Sequence, residues 1–305
     1  MTIAVFGSIN MDITAYSERL PRSGETLHGS RYLTGLGGKG ANQAAAAARL
    51  GADTHFIGRL GKDHFGSSAL ALLRAFGVET THLRSDSASL TGIAIINVDA
   101  RGENFITVIA GANFAVDAGD VEAARPLLSK ISVLLLQLEV PWDAMMLAAR
   151  HARDHGATVI LDPAPAKTDT SRMDLGLIDI ITPNEIECEI LTGISPKDQA
   201  AAAEAARILH ARGPSTVILK LGDRGAYVSA GGKSTMLDAF KVNTIDTVAA
   251  GDCFNGGLGF ALSKSMSLLE AARFACACGA LSTTRYGAAA AAPSLAEVNA
   301  LLSKG

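Results

Sequence analysis

The sequence predicts an α/β fold: a three-layer α/β/α sandwich with a mostly parallel central sheet and a small β lid. Three observations lead there. Short apolar runs, several of them β-branched, fall at 3–6, 54–57, 132–137, 158–161, 178–181 and 216–219 of the 305 residues. Helical patterns lie between them at 41–50, 65–76 and 142–155, closed by Gly51, Gly77 and Gly156, and glycine after a helix is the expected stop. Alternation of this kind implies parallel strands with helices on both faces. Two pieces break the rhythm, 12–35 and 92–111, with strand-like alternation and turn residues but little helix.

The elements justify themselves in order. The run 3–6 opens the sheet, and 12–35 leaves it as the first part of the lid. Segments 93–98 and 104–109 flank Asp99-Ala100-Arg101-Gly102, a hairpin turn, and complete the lid. The core is then 1–11, 36–91 and 112–305, and the lid is 12–35 with 92–111. The last third turns helical, at 251–263, 268–278 and 295–303. The Ala-rich tracts 44–48 and 288–292 read as a tightly packed helix and a close-approach loop.

Bulk properties exclude several function classes. Hydrophobic residues make up 48% of the chain, enough for a sizeable core, and the net charge of −3 comes without any Lys/Arg run. That composition argues against a nucleic-acid surface. No apolar run approaches a membrane span, and the start, Met1 to Gly7, lacks the basic lead and apolar stretch of a signal peptide. The cysteines Cys188, Cys253, Cys276 and Cys278 have no metal-ligand spacing and read as small buried thiols in a reducing cytoplasm. The seven histidines are scattered.

The chemistry concentrates in Asp246-Thr247-Val248-Ala249-Ala250-Gly251-Asp252, a loop of small residues running into a helix. Small residues let backbone N–H groups approach a ligand, and the helix start favours an anion. Asp252 at that spot is expected to be held ionised beside the anion, although a carboxylate there commonly only caps the helix. An anion cradle containing a base points to phosphoryl transfer to a hydroxyl. Asn10 and Asp12 leave the first strand two residues apart, so on extended chain they face one side and can hold neighbouring sugar hydroxyls. Gly37-Gly38-Lys39-Gly40-Ala41-Asn42 opens a helix and offers donors from Lys39 and Asn42. Gly35-x-Gly37-x-x-Gly40 also matches a dinucleotide fingerprint, but it does not follow the first strand directly, as that motif requires. Glu139 ends a buried strand, where a cap or ion pair is the ordinary role. Asn184 and Glu187 share a helix face and fit both a capping box and a water-mediated Mg²⁺ site. Lys220-Leu221-Gly222-Asp223-Arg224-Gly225 is a turn suited to a nucleotide's phosphates.

Taken together and in this order, these segments resemble the PfkB carbohydrate kinase family, in its ribose-phosphorylating form. The resemblance spans nearly the whole chain and rests on five collinear motifs: 7–12, 37–43, 162–166, 182–185 and 246–252. It implies transfer of the ATP γ-phosphate to the 5-hydroxyl of D-ribose. It makes Asp252 the base and Ala249, Ala250, Gly251 and Asp252 the anion hole. Asn10, Asp12, Gly38, Lys39, Asn42 and Glu139 would bind sugar; Asn184, Lys220, Gly222 and Gly225 would bind ATP; Glu187 would help place Mg²⁺. Family members commonly use K⁺, and the matching positions are Asp246, Val248, Ser282, Arg285, Gly287 and Ala291. The cation loop departs from the family pattern, because Gly287-Ala288-Ala289-Ala290-Ala291 lacks a side-chain oxygen at Ala291. Other readings are a kinase for deoxyribose, fructose, ketodeoxygluconate or a nucleoside, a non-catalytic sugar sensor, and an NAD-dependent oxidoreductase. A lid with exposed apolar faces further suggests a lid-to-lid homodimer.

Overall fold

The computed structural model describes residues 1–166 and 174–304. In chain order the elements are β1 (Thr2–Phe6), β2 (Asn10–Tyr16), β3 (Arg31–Gly37), α1 (Lys39–Arg49), β4 (Asp53–Gly61), α2 (His64–Ala75), β5 (Leu83–Asp86), β6 (Gly92–Val98), β7 (Asn104–Ile109), α3 (Ala118–Leu128), β8 (Val133–Gln137), α4 (Trp142–Asp154) and β9 (Thr158–Asp162). They continue with β10 (Ile180–Ile181), α5 (Glu185–Thr192), α6 (Gln199–His210), β11 (Thr216–Lys220), β12 (Ala226–Ala230), β13 (Lys233–Leu237), α7 (Ala250–Ser263), α8 (Leu268–Ser282) and α9 (Leu295–Leu302). One sheet runs β13-β12-β11-β10-β9-β8-β1-β4-β5, and a smaller one runs β3-β2-β6-β7.

The strand period of two sorts side chains into two core layers. From β1, Ile3 and Val5 enter one layer while Ala4 and Phe6 enter the other. In β8, Val133 and Leu135 face the first and Leu134 and Leu136 the second; Ile160 and Ile218 repeat the split against their neighbours in β9 and β11. The first layer is closed by apolar faces of α1, α2, α7, α8 and α9, the second by α3, α4, α5 and α6. The large sheet is parallel from β5 to β11, and β12 and β13 add an antiparallel edge.

That edge hairpin is absent from the pattern reading, although its signal was present. Ala230 pairs with Lys233, so Gly231 and Gly232 alone make the turn, at φ 57° and 74°. Two successive left-handed residues are what a two-residue hairpin requires. The strand expected at 178–181 shrinks to Ile180–Ile181. Helix α3, also unpredicted, contains Pro126, which breaks its propensity signal; a capping box of Asp117 and Asp120 starts it instead. The smaller sheet begins at Asn10 and reaches Gly37, slightly beyond 12–35, and the turn at 99–102 joins β6 to antiparallel β7. No helix among the described residues is long and apolar enough to cross a membrane.

Helices α1 and α7 approach closely through small residues. A Cβ on Gly256 would lie 2.6 Å from Ala46 Cβ and 2.7 Å from Gln43 O. Gly256→Ala therefore overpacks this contact and is expected to destabilise the protein by about 1–3 kcal/mol, read as a lowered melting temperature. It should also lower activity, because α1 carries Asn42 and Gln43 to the site described next; unchanged melting would show that the helices can separate freely.

Candidate active site

The start of α7 is built as an anion cradle. Ala249 stands at φ 58° in the left-handed region, an uncommon conformation for a residue with a Cβ. The turn spends the Ala250 amide on Thr247 O at 3.3 Å. Among the described residues, the amides of Gly251 and Asp252 have no protein acceptor, which leaves two helix-start donors for an anion.

Asp252 does not cap its helix, since no side-chain cap bond is made there. Its Oδ2 accepts from Asn42 Nδ2 at 2.9 Å and its Oδ1 from Gln43 Nε2 at 3.2 Å, both donors coming from α1. Burial, more than the helix end, sets how readily this carboxylate ionises. Burial dominates: Asp252 is only 5% exposed, and desolvation lifts its pKa to about 6 despite Lys39 and the two amide donors.

The sugar side forms where β1 ends and β2 begins. Gly38 at φ 84° turns the chain into α1, and a Cβ there would lie 2.9 Å from Ser8 O and Asn10 N. That close approach fixes the Lys39–Gln43 segment over the β1 exit. Glu139 Oε2 accepts from Ser8 Oγ and from Lys39 N at 3.1 Å, so it helps start α1 while its other oxygen has no hydrogen-bond donor among the described residues. Asn10 Oδ1 accepts from Asn113 Nδ2 at 2.8 Å. Asp12 is raised to about 7 by burial first, then by Glu139 and Asp252. For Lys39, burial works against the charge, but Asp252, Asp162, Glu139 and Glu187 outweigh it and raise the pKa. Among the described residues no donor reaches Asn42 Oδ1, which is buried. A buried acceptor left bare costs about 1–3 kcal/mol, and a ligand hydroxyl would satisfy it.

On the other side of the α7 start lies a cavity of about 800 Å³ lined by Asn184, Lys220, Gly222, Gly225, Ala250 and Gly251. All four residues predicted to hold nucleotide are therefore on one wall system. A Cβ on Gly251 would sit 3.3 Å from Lys220 Nζ, which puts that ammonium beside the cradle. Asn184 and Glu187 form a complete capping box: Asn184 Oδ1 accepts from Glu187 N, while Glu187 accepts from Asn184 N and Nδ2. Glu187 is raised by burial despite Lys220.

In the cation loop the carboxylate of Asp246 accepts from Val248 N at 3.0 Å and Gly287 N at 3.3 Å, joining the two segments. Ser282 Oγ donates to Gly279 O at 2.8 Å, Arg285 pairs with Glu297 at 2.7 Å, and Ala291 is buried. Arg285 carries no side-chain oxygen and Ala291 only a methyl, which leaves Asp246, the lone pairs of Ser282 Oγ and backbone carbonyls as the oxygen donors.

Sequence reasoning assigned no role to Gln43, Asp162, Gln137, Ser8 or Asn113. Gln43 and Asp162 lie inside quoted motifs, so position could have flagged them; Gln137 and Asn113 join the site only through folding. The apolar side of the cavity, with Phe240, Val242, Cys276 and Ala280, comes from segments without any motif.

Fold and site together define a class: an α/β enzyme with a buried carboxylate beside unpaired helix-start amides, set between a polar pocket and a larger cavity. Comparison with known proteins makes it specific. Residues 2–295 match the pfkB family carbohydrate kinase model, and the chain belongs to the PfkB family of carbohydrate kinases. It is 43% identical to a ribokinase of Haemophilus influenzae, covering 97% of this chain and 96% of that one. A deoxyribokinase of Salmonella typhi is 34% identical, with 99% of each covered. The structure of Arabidopsis thaliana ribokinase complexed with ribose and ATP superposes at TM-score 0.88 and 32% identity, covering 98% of each chain.

A carboxylate that served as base here would have to be unprotonated, and Asp252 gains its proton as pH falls through about 6. Activity is therefore expected to hold above that value and to fall roughly tenfold per pH unit below it. A pH–rate profile flat down to pH 4.5 would contradict this.

Proposed function

We propose that the protein transfers the γ-phosphoryl group of ATP to the 5-hydroxyl of D-ribose, giving ribose 5-phosphate and ADP. One observation carries the reading: the Asp252 carboxylate stands at the start of α7, next to amides unpaired among the described residues, and accepts from the Nδ2 of Asn42, whose Oδ1 is bare. Sugar would sit among Asn10, Asp12, Gly38, Lys39, Asn42 and Glu139, and ATP in the cavity of Asn184, Lys220, Gly222 and Gly225. Lys39, which acts electrostatically on Asp252, and Lys220, beside Gly251, would place positive charge near the migrating group. The loose transition state asks little of the nucleophile early, so Asp252 takes the hydroxyl proton late, a task within reach of a carboxylate. The amides of Gly251 and Asp252 are preorganised for charge on the transferred group.

Ribose is favoured over its competitors because buried polar groups penalise a substrate lacking a hydroxyl, and because a relative named ribokinase is more similar than one named deoxyribokinase. A nucleoside would want an aromatic platform; of the aromatics on the smaller sheet Tyr32 and Phe105 are exposed, and the Tyr16 ring is taken by the Arg31 guanidinium, 4.2 Å from its centroid. A sugar sensor would have no need of the base.

Glu187 is a buried carboxylate whose oxygens, each bonded once, retain lone pairs; that suits Mg²⁺ held through water. Mg²⁺ would neutralise charge on the phosphates when bound. Oxygens of Asp246, Val248, Ser282, Arg285, Gly287 and Ala291, mostly backbone carbonyls, would suit K⁺, so activity should rise when K⁺ replaces Na⁺, and equal rates would remove the ion. The exposed apolar residues Tyr32, Leu33, Phe105, Ile106 and Val108 support a homodimer formed through the smaller sheet acting as a lid, which light scattering reads directly. Use of ATP and unpaired thiols support a cytoplasmic location.

Asp252→Asn is expected to lower kcat about 10²–10⁴-fold with melting temperature retained; near-normal turnover would refute the base. An ADP-release assay across ribose, deoxyribose, fructose, ketodeoxygluconate and nucleosides should give ribose the highest kcat/KM, and a higher value for any other sugar would replace it.

A further inference from the structure

A buried hydrogen-bonded frame runs from the nucleotide cavity to the base. Lys220 Nζ, on the cavity wall, pairs with Asp162 Oδ1 at 2.8 Å. Asp162 Oδ2 accepts from Gln43 Nε2 at 3.0 Å, and the same nitrogen donates to Asp252 Oδ1 at 3.2 Å. The Gln43 amide has one sense only, because its Oε1 accepts from Gln137 Nε2 at 2.7 Å. Reversed, it would aim an oxygen at two carboxylates. Gln43 and Gln137 are fully buried and Asp162 is 2% exposed. Burying this much polarity is expensive, and apolar side chains of the same volume would fill the space at lower cost.

We propose that Gln43 and Asp162 are positioning residues for phosphoryl transfer: the Gln43 amide aims the Asp252 carboxylate, and Asp162 locks that amide to Lys220, so the phosphate site and the base share one rigid frame. The inference rests on Asp252 being the base. Neither residue lines the nucleotide cavity, and each acts through another side chain.

The two act on Asp252 with opposite sign. The charged groups around that carboxylate are Lys39 from α1, Asp162 from β9, Asp12 from β2 and Glu139 after β8, with Lys220 and Glu187 beyond them. The negative charge of Asp162 opposes ionisation of Asp252, whereas the hydrogen bond from Gln43 favours it. Removing each therefore moves the base in a different direction, which loss of packing alone would not do.

The test is the pH dependence of kcat at saturating ribose and ATP, where Asp12 is already engaged by sugar, in the full-length protein. Gln43→Met, close in volume, should lower kcat about 10–100-fold above the acid limb, the scale of one hydrogen bond to a charged group, and shift that limb to higher pH. Asp162→Asn should shift it to lower pH by about one unit, the scale of a neighbouring charge. The KM for ribose should change little in both. Limbs that stay in place, or move together, would overturn the frame, as would a rise in KM with kcat intact. Should Gln43→Met not fold, the near-isosteric Asp162→Asn decides alone: a downward shift supports the frame, and an unmoved or upward limb ends it. An active Asp252→Asn would instead remove the base itself, so the two failures are separable.

Discussion

Everything at this site depends on burying one ionisable carboxylate and supplying it with donors. Asp252 is nearly sealed from water, and its two oxygens receive amide hydrogens from consecutive residues of a different helix, Asn42 and Gln43. Without those donors the desolvation penalty would keep the group neutral well into the working range of a base. The donors reach it only because α1 and α7 touch through Ala46 and Gly256. Small side chains at a helix contact are thus a requirement of the chemistry. Replacing them would move the donors outward along with the helix that bears them.

The two-layer core explains why the ligands meet where they do. Parallel strands β1, β8, β9 and β11 end at the same edge, and each delivers a polar residue there: Ser8 and Asn10 past β1, Gln137 and Glu139 at β8, Asp162 in β9, Lys220 in β11. This is the edge at which open α/β sheets bind ligands. Polar side chains that would destabilise the middle of either apolar layer are collected at its rim, where they bond one another and leave acceptors such as Asn42 Oδ1 and Gln137 Oε1 bare.

Helix-end electrostatics and desolvation compete at α7, and magnitude decides between them. A helix start contributes roughly 0.3–1 kcal/mol toward a negative charge, whereas near-complete burial can shift a carboxylate by several pKa units. Burial wins: the Asp252 pKa rises to about 6, so the carboxylate is ionised at neutral pH but takes up a proton more readily than an exposed one. The amides of Gly251 and Asp252, unpaired among the described residues, remain available at the same helix start.

Much of this was legible in the residues alone. Periodicity and glycine stops gave the α/β alternation, and the break in that rhythm gave the second sheet, because both signals are local. Motif order pointed to Asp252, the 37–43 loop and the 182–187 capping box for the same reason. Other features were decided only by the tertiary structure. The edge hairpin β12–β13 went unread, although its Gly231-Gly232 turn was in plain view. Gln43, Asp162 and Gln137 acquire meaning only when strands far apart in sequence end side by side. The apolar wall of the nucleotide cavity belongs to α8 and to residues around Phe240, which share no pattern. A chain of side chains records which groups are available; which of them face each other, and how dry their meeting place is, depends on contacts between distant segments, and that dryness sets the chemistry.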